Sequence, residues 1–226
     1  MWSLAGQHTG RTDVPLTARG EDGARALATH LRDIPFAGVL TSPRQRARRT
    51  CELAGLGTKA TTEPDLTEWD YGDYEGQTSA KILATQPKWE LFRDGCPSGE
   101  TPLQVSARAD RLLARLRALG ENVALFTHGH FGRVLGARWI GLPVGEARHF
   151  LLRTTSVSVL GHEHDRADQP VIELWNATAG EPADAQPDPR ADDNCMVKPR
   201  TIERWENEGG EIPHRRRKQT GSEPAG

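Results

Sequence analysis

Apolar residues recur at helical spacing at Ala24, Leu27, Ala28 and Leu31, behind a Thr17 able to cap and ahead of Pro35, so the pattern predicts a helix with one buried face. The short apolar run 36–40, bounded by Pro35 and Pro43, predicts a buried strand, and Pro43 suits the first turn of a following helix that reaches about Gly55. Residues 61–66 predict an edge strand ahead of a loop rich in Asp, Trp, Tyr and Gly. Two short helices, 78–85 and 88–93, lead into the turn 95–99. The strongest helical pattern covers 101–119: Thr101 caps, Pro102 fits the first turn, and Val105, Ala109, Leu112, Leu116 and Leu119 share one face until Gly120 stops it. Residues 122–127 predict a second buried strand that hands over at His128-Gly129 to a helix over 131–140, and 156–162 and 171–175 predict two more strands. Strands alternating with helices predict an α/β domain over 1–176.

From about Ala177 the composition changes to a stretch dense in Ala, Pro and Asp. It predicts a disordered tail over 177–226, with a helical turn near 202–205. The run Arg215-Arg216-Arg217-Lys218 reads as solvated tail, with nucleic-acid contact the weaker alternative. Lys+Arg 29 against Asp+Glu 31 gives a net charge of -2, which points away from nucleic acid or an anionic membrane as a bulk partner. Cys51, Cys96 and Cys195 are an odd number without a C-x-x-C pair, which fits a reduced cytoplasmic protein, and no apolar run is long enough to span a bilayer.

Four separated segments carry candidate chemistry. In Gln7-His8-Thr9-Gly10, a hydroxyl and a backbone without a side chain suit close approach to an anion. In Ser42-Pro43-Arg44-Gln45-Arg46-Ala47, a planar guanidinium near a helix start suits phosphoryl oxygens; Arg48 and Arg49 read as solvated surface, and Arg44 as intermediate. Glu68-Trp69-Asp70-Tyr71-Gly72-Asp73-Tyr74-Glu75 sets a carboxyl beside aromatic rings; Asp70, Asp73 and Glu75 could also imitate a metal site. Thr127-His128-Gly129-His130 puts histidines where a strand meets a helix N-terminus.

Together these segments resemble the histidine phosphatase superfamily, of phosphoglycerate-mutase-like fold. The resemblance implies a three-layer α/β/α architecture, no metal and no cofactor. It maps Arg46 to the phosphate-clamping arginine, Glu68 to the proton donor and His128 to the second catalytic histidine. Thr9, Gly10, Tyr71, Gly129, His130 and Arg44 map to substrate contacts. The strings Gln-His-Thr-Gly-Arg-Thr-Asp, Glu-Trp-Asp-Tyr-Gly-Asp-Tyr-Glu-Gly and His-Gly-His are similar to the sedoheptulose-bisphosphatase branch, which implies a small phosphorylated metabolite, a sugar phosphate or bisphosphate, with Arg93 or Arg44 reaching a second phosphate. Cofactor-dependent phosphoglycerate mutase is the competing reading.

The family's nucleophilic histidine follows a buried first strand as Arg-His-Gly, and this sequence contains no such tripeptide. Loss of that central strand would forfeit on the order of 6–12 kcal/mol of burial, comparable to a whole domain's stability. The expectation is a natural protein that starts upstream of Met1 and is active, the 226-residue chain being inactive as it stands. A catalytically dead phosphate-ligand binder and a decayed gene fragment are the alternatives.

Overall fold

The computed structural model describes residues 6–166 and 168–178. Three parallel strands form one sheet: β1 (Gly38–Thr41) lies between β2 (Ala60–Thr62) and β3 (Val123–Phe126). Gly38 stands opposite Val123 and Thr41 opposite Phe126 on one side, and Val39 stands opposite Ala60 on the other. β4 (Ser156–His162) and β5 (Pro170–Thr178) form a separate antiparallel pair. Among the described residues, no strand pairs with the outer edge of β3 or with the second edge of β4.

Side chains alternate across the sheet, so each strand feeds two cores. Val39, Ala124 and Phe126 point to a cluster with Leu27 of α1 (Ala18–Leu31) and Cys51 of α2 (Gln45–Leu53). Leu40 and Leu125 point the other way, onto Val105, Ala109 and Leu112 of α5 (Pro102–Leu119) and Phe131, Val134 and Leu135 of α6 (Gly129–Trp139). Helices on both faces give the three-layer α/β/α arrangement. Burial of each such aliphatic side chain contributes about 1.5–3 kcal/mol.

The helix signals in the sequence act as expected where the cap is local. Thr17 accepts the Gly20 N–H, and Thr101 forms a reciprocal capping box with Gln104 before Gly120 ends α5 in the left-handed region at φ 62°. Two short helices, α3 (Ser79–Thr85) and α4 (Leu91–Asp94), follow the acidic loop.

Several expected boundaries move. Strand β2 has only three residues, because Glu63 accepts the Asp65 N–H and starts a 3-10 turn at Pro64–Leu66, where proline has no N–H for a ladder. Pro43 lies just before α2, whose N-cap is Arg44. Leu119 is 58% exposed, since the last turn of α5 runs past the core. Strand β5 continues to Thr178, past the compositional boundary at 176. The tail after Thr178, including the expected turn near 202–205 and the basic run, lies outside the described residues. No described helix is long and apolar enough to cross a membrane.

Candidate active site

Adjacent parallel strands β1 and β3 end side by side, and the Ser42 N–H donates to the Phe126 carbonyl at 2.9 Å, so Ser42 and His128 emerge together from the sheet. α2 starts directly after Ser42 and brings Arg46 back over this edge. Arg46 Nε donates to His128 Nδ1 at 3.2 Å, while its two terminal nitrogens donate to the carbonyls of Thr12 at 3.0 Å and Thr9 at 2.9 Å.

An imidazole that accepts at Nδ1 carries its proton on Nε2 when neutral, so the 2.8 Å contact to Ser42 is an Nε2–H donation to Oγ. His128 stays neutral because burial pushes its pKa down to about 4; the nearby arginine charges add to this and the Glu68 charge opposes it. Burial also lowers the Arg46 pKa. No carboxylate forms an ion pair with Arg46 among the described residues, and its partners are a ring nitrogen and neutral carbonyls.

Glu68 is 8% exposed and sits at the N-terminus of α6. Its Oε1 accepts the N–H groups of Trp69 and Phe131, each at 2.9 Å, and Oε2 accepts that of His130 at 3.1 Å. Free amides at a helix start hold an anion well, which explains why a carboxylate is tolerated there beside a fully buried Trp69.

The loop around Glu68 is fixed from behind by a pair that the sequence pattern did not reveal. Arg108 of α5 donates to the carbonyls of Asp65 and Thr67, each at 2.8 Å, and binds both oxygens of Glu100 at 2.9 and 2.8 Å. Its guanidinium also lies 4.0 Å from the Phe131 ring centroid. Glu100 in turn accepts the Asp70 N–H, and its carbonyl accepts from Trp69 Nε1. The only sequence signal was an arginine on the otherwise apolar stripe of α5.

The segment 7–12 departs from its expected part. Gly10, expected to offer its N–H to a phosphate, donates it to the Glu75 carboxylate at 3.0 Å, which also accepts the Thr12 N–H at 3.0 Å. Gly is required there because a Cβ would stand 2.3 Å from the Trp69 carbonyl oxygen. The Thr9 hydroxyl donates to the Gln7 carbonyl. The three loop acids face different partners: Asp70 pairs with Arg11 at 2.6 Å, Asp73 accepts from Ser98, and Glu75 serves segment 7–12.

Tyr71 is buried and in 2.6 Å contact with His130 Nδ1. Burial raises the Tyr71 pKa well above its ordinary value, so its hydroxyl stays protonated, and the direction of the contact follows the His130 tautomer. His8 is 7% exposed, with its ring 4.7 Å from Tyr71 and 5.8 Å from His130. Gly129, the first residue of α6, is exposed beside them. Arg44 keeps a buried Nε without a partner. Arg48 and Arg49 are exposed. Arg93 is paired with Asp94 and lines an open groove of about 520 Å³ beside Trp89, away from Arg46, Glu68 and His128.

Residues 1–178 match the histidine phosphatase superfamily (branch 1), and the chain belongs to that family. Among its relatives are an acid phosphatase of Mycobacterium tuberculosis, 40% identical over 72% of this chain and 82% of the relative. The sedoheptulose 1,7-bisphosphatase of Saccharomyces cerevisiae is 30% identical over 76% of this chain and 88% of its own. A solved structure of a functionally characterised Mycobacterium tuberculosis open reading frame product superposes with TM-score 0.74 at 36% identity, over 79% of this chain and 93% of that one. Phosphoglycerate-mutase-like architecture is thus the fold of this chain.

Proposed function

We propose that this chain provides the phosphoryl site and the leaving-group acid of a metal-independent phosphomonoesterase acting on sugar phosphates or bisphosphates in the cytoplasm. The observation that carries the reading is Arg46, bonded to His128 and to loop carbonyls and to no carboxylate among the described residues, with the Glu68 and Asp13 charges acting on it only through space. A buried cation of that kind favours an anion, and phosphoryl oxygens would replace the loop carbonyls at Arg46 and Ser42 Oγ at the His128 Nε2–H. The sugar is supported by the name of the yeast relative, and the cytoplasm by the unpaired buried thiols of Cys51 and Cys96.

In the proposed reaction a neutral imidazole attacks phosphorus and the ester P–O bond breaks; Glu68, a carboxylate in the resting site, takes the proton of the monoanionic phosphomonoester and gives it to the departing alkoxide. Glu68 then takes a proton from water, whose oxygen attacks the phosphohistidine and releases phosphate and the free imidazole. Arg46 and His128 stabilise the charge on the transferring group. None of the eight histidines lies in an Arg-His-Gly setting. We place the acceptor on a further strand beside the edges of β3 and β4 that pair with no strand among the described residues, and we read the 226-residue chain as binding phosphate without turnover.

Two assays test this. Titration with orthovanadate should show binding that Arg46→Ala weakens about ten- to a hundredfold, and equal affinity in both proteins would end the reading. An aryl phosphate should not be turned over by the chain alone; turnover that persists in Glu68→Gln and disappears in His8→Ala would make His8 the acceptor instead.

A further inference from the structure

We propose that His8 and His130 form a specificity pair beside Glu68 that binds hydroxyl groups on the uncharged, polyhydroxylated leaving portion of a phosphomonoester. The proposal rests on the reading above and adds which side chains recognise the part of the substrate that leaves.

Glu68 lies within reach of two unlike pairs. Arg46 and His128 are bonded to each other, and both feel the Glu68 charge. His8 and His130 are in ring contact at 5.8 Å; the His130 N–H donates to Glu68, and His8 also feels the Glu68 charge. A proton donor to the leaving oxygen has the phosphoryl group on one side and the leaving portion on the other. With Arg46 and neutral His128 on the phosphoryl side, the second pair faces the portion that departs.

The chemistry of that pair fits alcohols. Each ring has one nitrogen tied to the protein: His8 Nε2 lies 3.3 Å from the Ser79 hydroxyl, and His130 Nδ1 lies 2.6 Å from the Tyr71 hydroxyl. Among the described residues, His8 Nδ1 and His130 Nε2 have no hydrogen-bond partner, and neither is sealed from solvent. Burial pushes the His8 pKa down to about 4 and that of His130 to about 3, the latter helped by the Arg133 charge, so both are uncharged at neutral pH. Two neutral imidazoles suit groups that both donate and accept, and they offer no net charge to a second phosphate or a carboxylate. The rotatable hydroxyls of Tyr71 and Ser79 let His130 Nε2 and His8 Nδ1 each either donate or accept, so the pair can serve both sides of one hydroxyl. Ring contacts from Tyr71 and Trp89 hold His8 in place.

The test is calorimetric titration of the 226-residue chain with inorganic phosphate, phenyl phosphate and ribose 5-phosphate. The two esters carry equivalent phosphate charge, so the ratio of their dissociation constants isolates hydroxyl recognition from the phosphoryl site. Ribose 5-phosphate should bind more tightly than phenyl phosphate, and His8→Leu or His130→Leu should each reduce that ratio by up to about tenfold. His8→Asn, which keeps a donor and an acceptor, should retain part of it. An unchanged ratio in both leucine variants would overturn the proposal. Loss of inorganic phosphate along with both esters in His8→Leu and His8→Asn alike would also overturn it, by placing His8 in the phosphoryl site. If the unaltered chain binds no inorganic phosphate, the phosphatase reading itself fails and the pair falls with it.

Discussion

Arg46 and Arg108 are both arginines drawn off the surface and bonded to backbone carbonyls, yet they do opposite work. Arg108, 8% exposed, also has the Glu100 carboxylate bound through two nitrogens, so its charge is cancelled inside the protein. Arg46 has carbonyls and the lone pair of His128 Nδ1 and, among the described residues, no bonded carboxylate; Glu68 and Asp13 act on its charge only through space. A desolvated guanidinium is held either by a carboxylate the fold supplies or by an anion that a ligand supplies. The first kind positions the Glu68 loop, and the second kind awaits phosphate.

The contrast breaks most sharply at Arg108. Arg108→Leu strands Glu100 and frees the carbonyls of Asp65 and Thr67, and should cost about 3–5 kcal/mol of stability, read from urea unfolding. A loss below about 1 kcal/mol would show that the pair does not anchor the loop. Arg46→Ala should instead lower phosphate affinity by about 1.5–3 kcal/mol, the range for hydrogen bonds to a charged group, with a smaller loss of stability than Arg108→Leu. The reverse order of stability losses would erase the distinction between the two arginines.

Acid sharpens the same comparison. His8 and His128 have pKa values pushed down to about 4 from an ordinary 6.5, and His130 to about 3. Below 6.5 the unfolded chain takes up protons that the folded chain refuses. Their contribution is therefore complete above 6.5 and lost as pH falls towards 4, by up to about 1.4 kcal/mol per pH unit for each histidine. Stability that stays flat over this window would mean that the three rings are already protonated or exposed. The smallest effect is expected in the titration of His128 itself. Arg46→Ala removes a nearby positive charge and should raise the His128 pKa above about 4 without restoring 6.5, because burial is the larger cause. Ring-proton NMR through the titration would show this, and no movement would separate the two side chains.

Sequence alone determined what depends on neighbours a few residues apart. The caps at Thr17 and Thr101, the stop at Gly120 and the apolar stripe of α5 were legible, because capping and helical periodicity act within one or two turns, whereas Arg46, Glu68 and His128 stood out only through the family resemblance of their motifs. Residues separated by 82 positions had to be joined by the fold before Arg46 could fix the His128 tautomer. The same holds for Gly10, whose N–H was claimed by a carboxylate 65 residues away, and for Arg108, which reads as an ordinary polar position until three carbonyls and Glu100 converge on it. Where a side chain's charge is cancelled, and so whether it is structural or available to a ligand, is set by desolvation and long-range partners, and these exist only once the sheet and the helices on both its faces have come together.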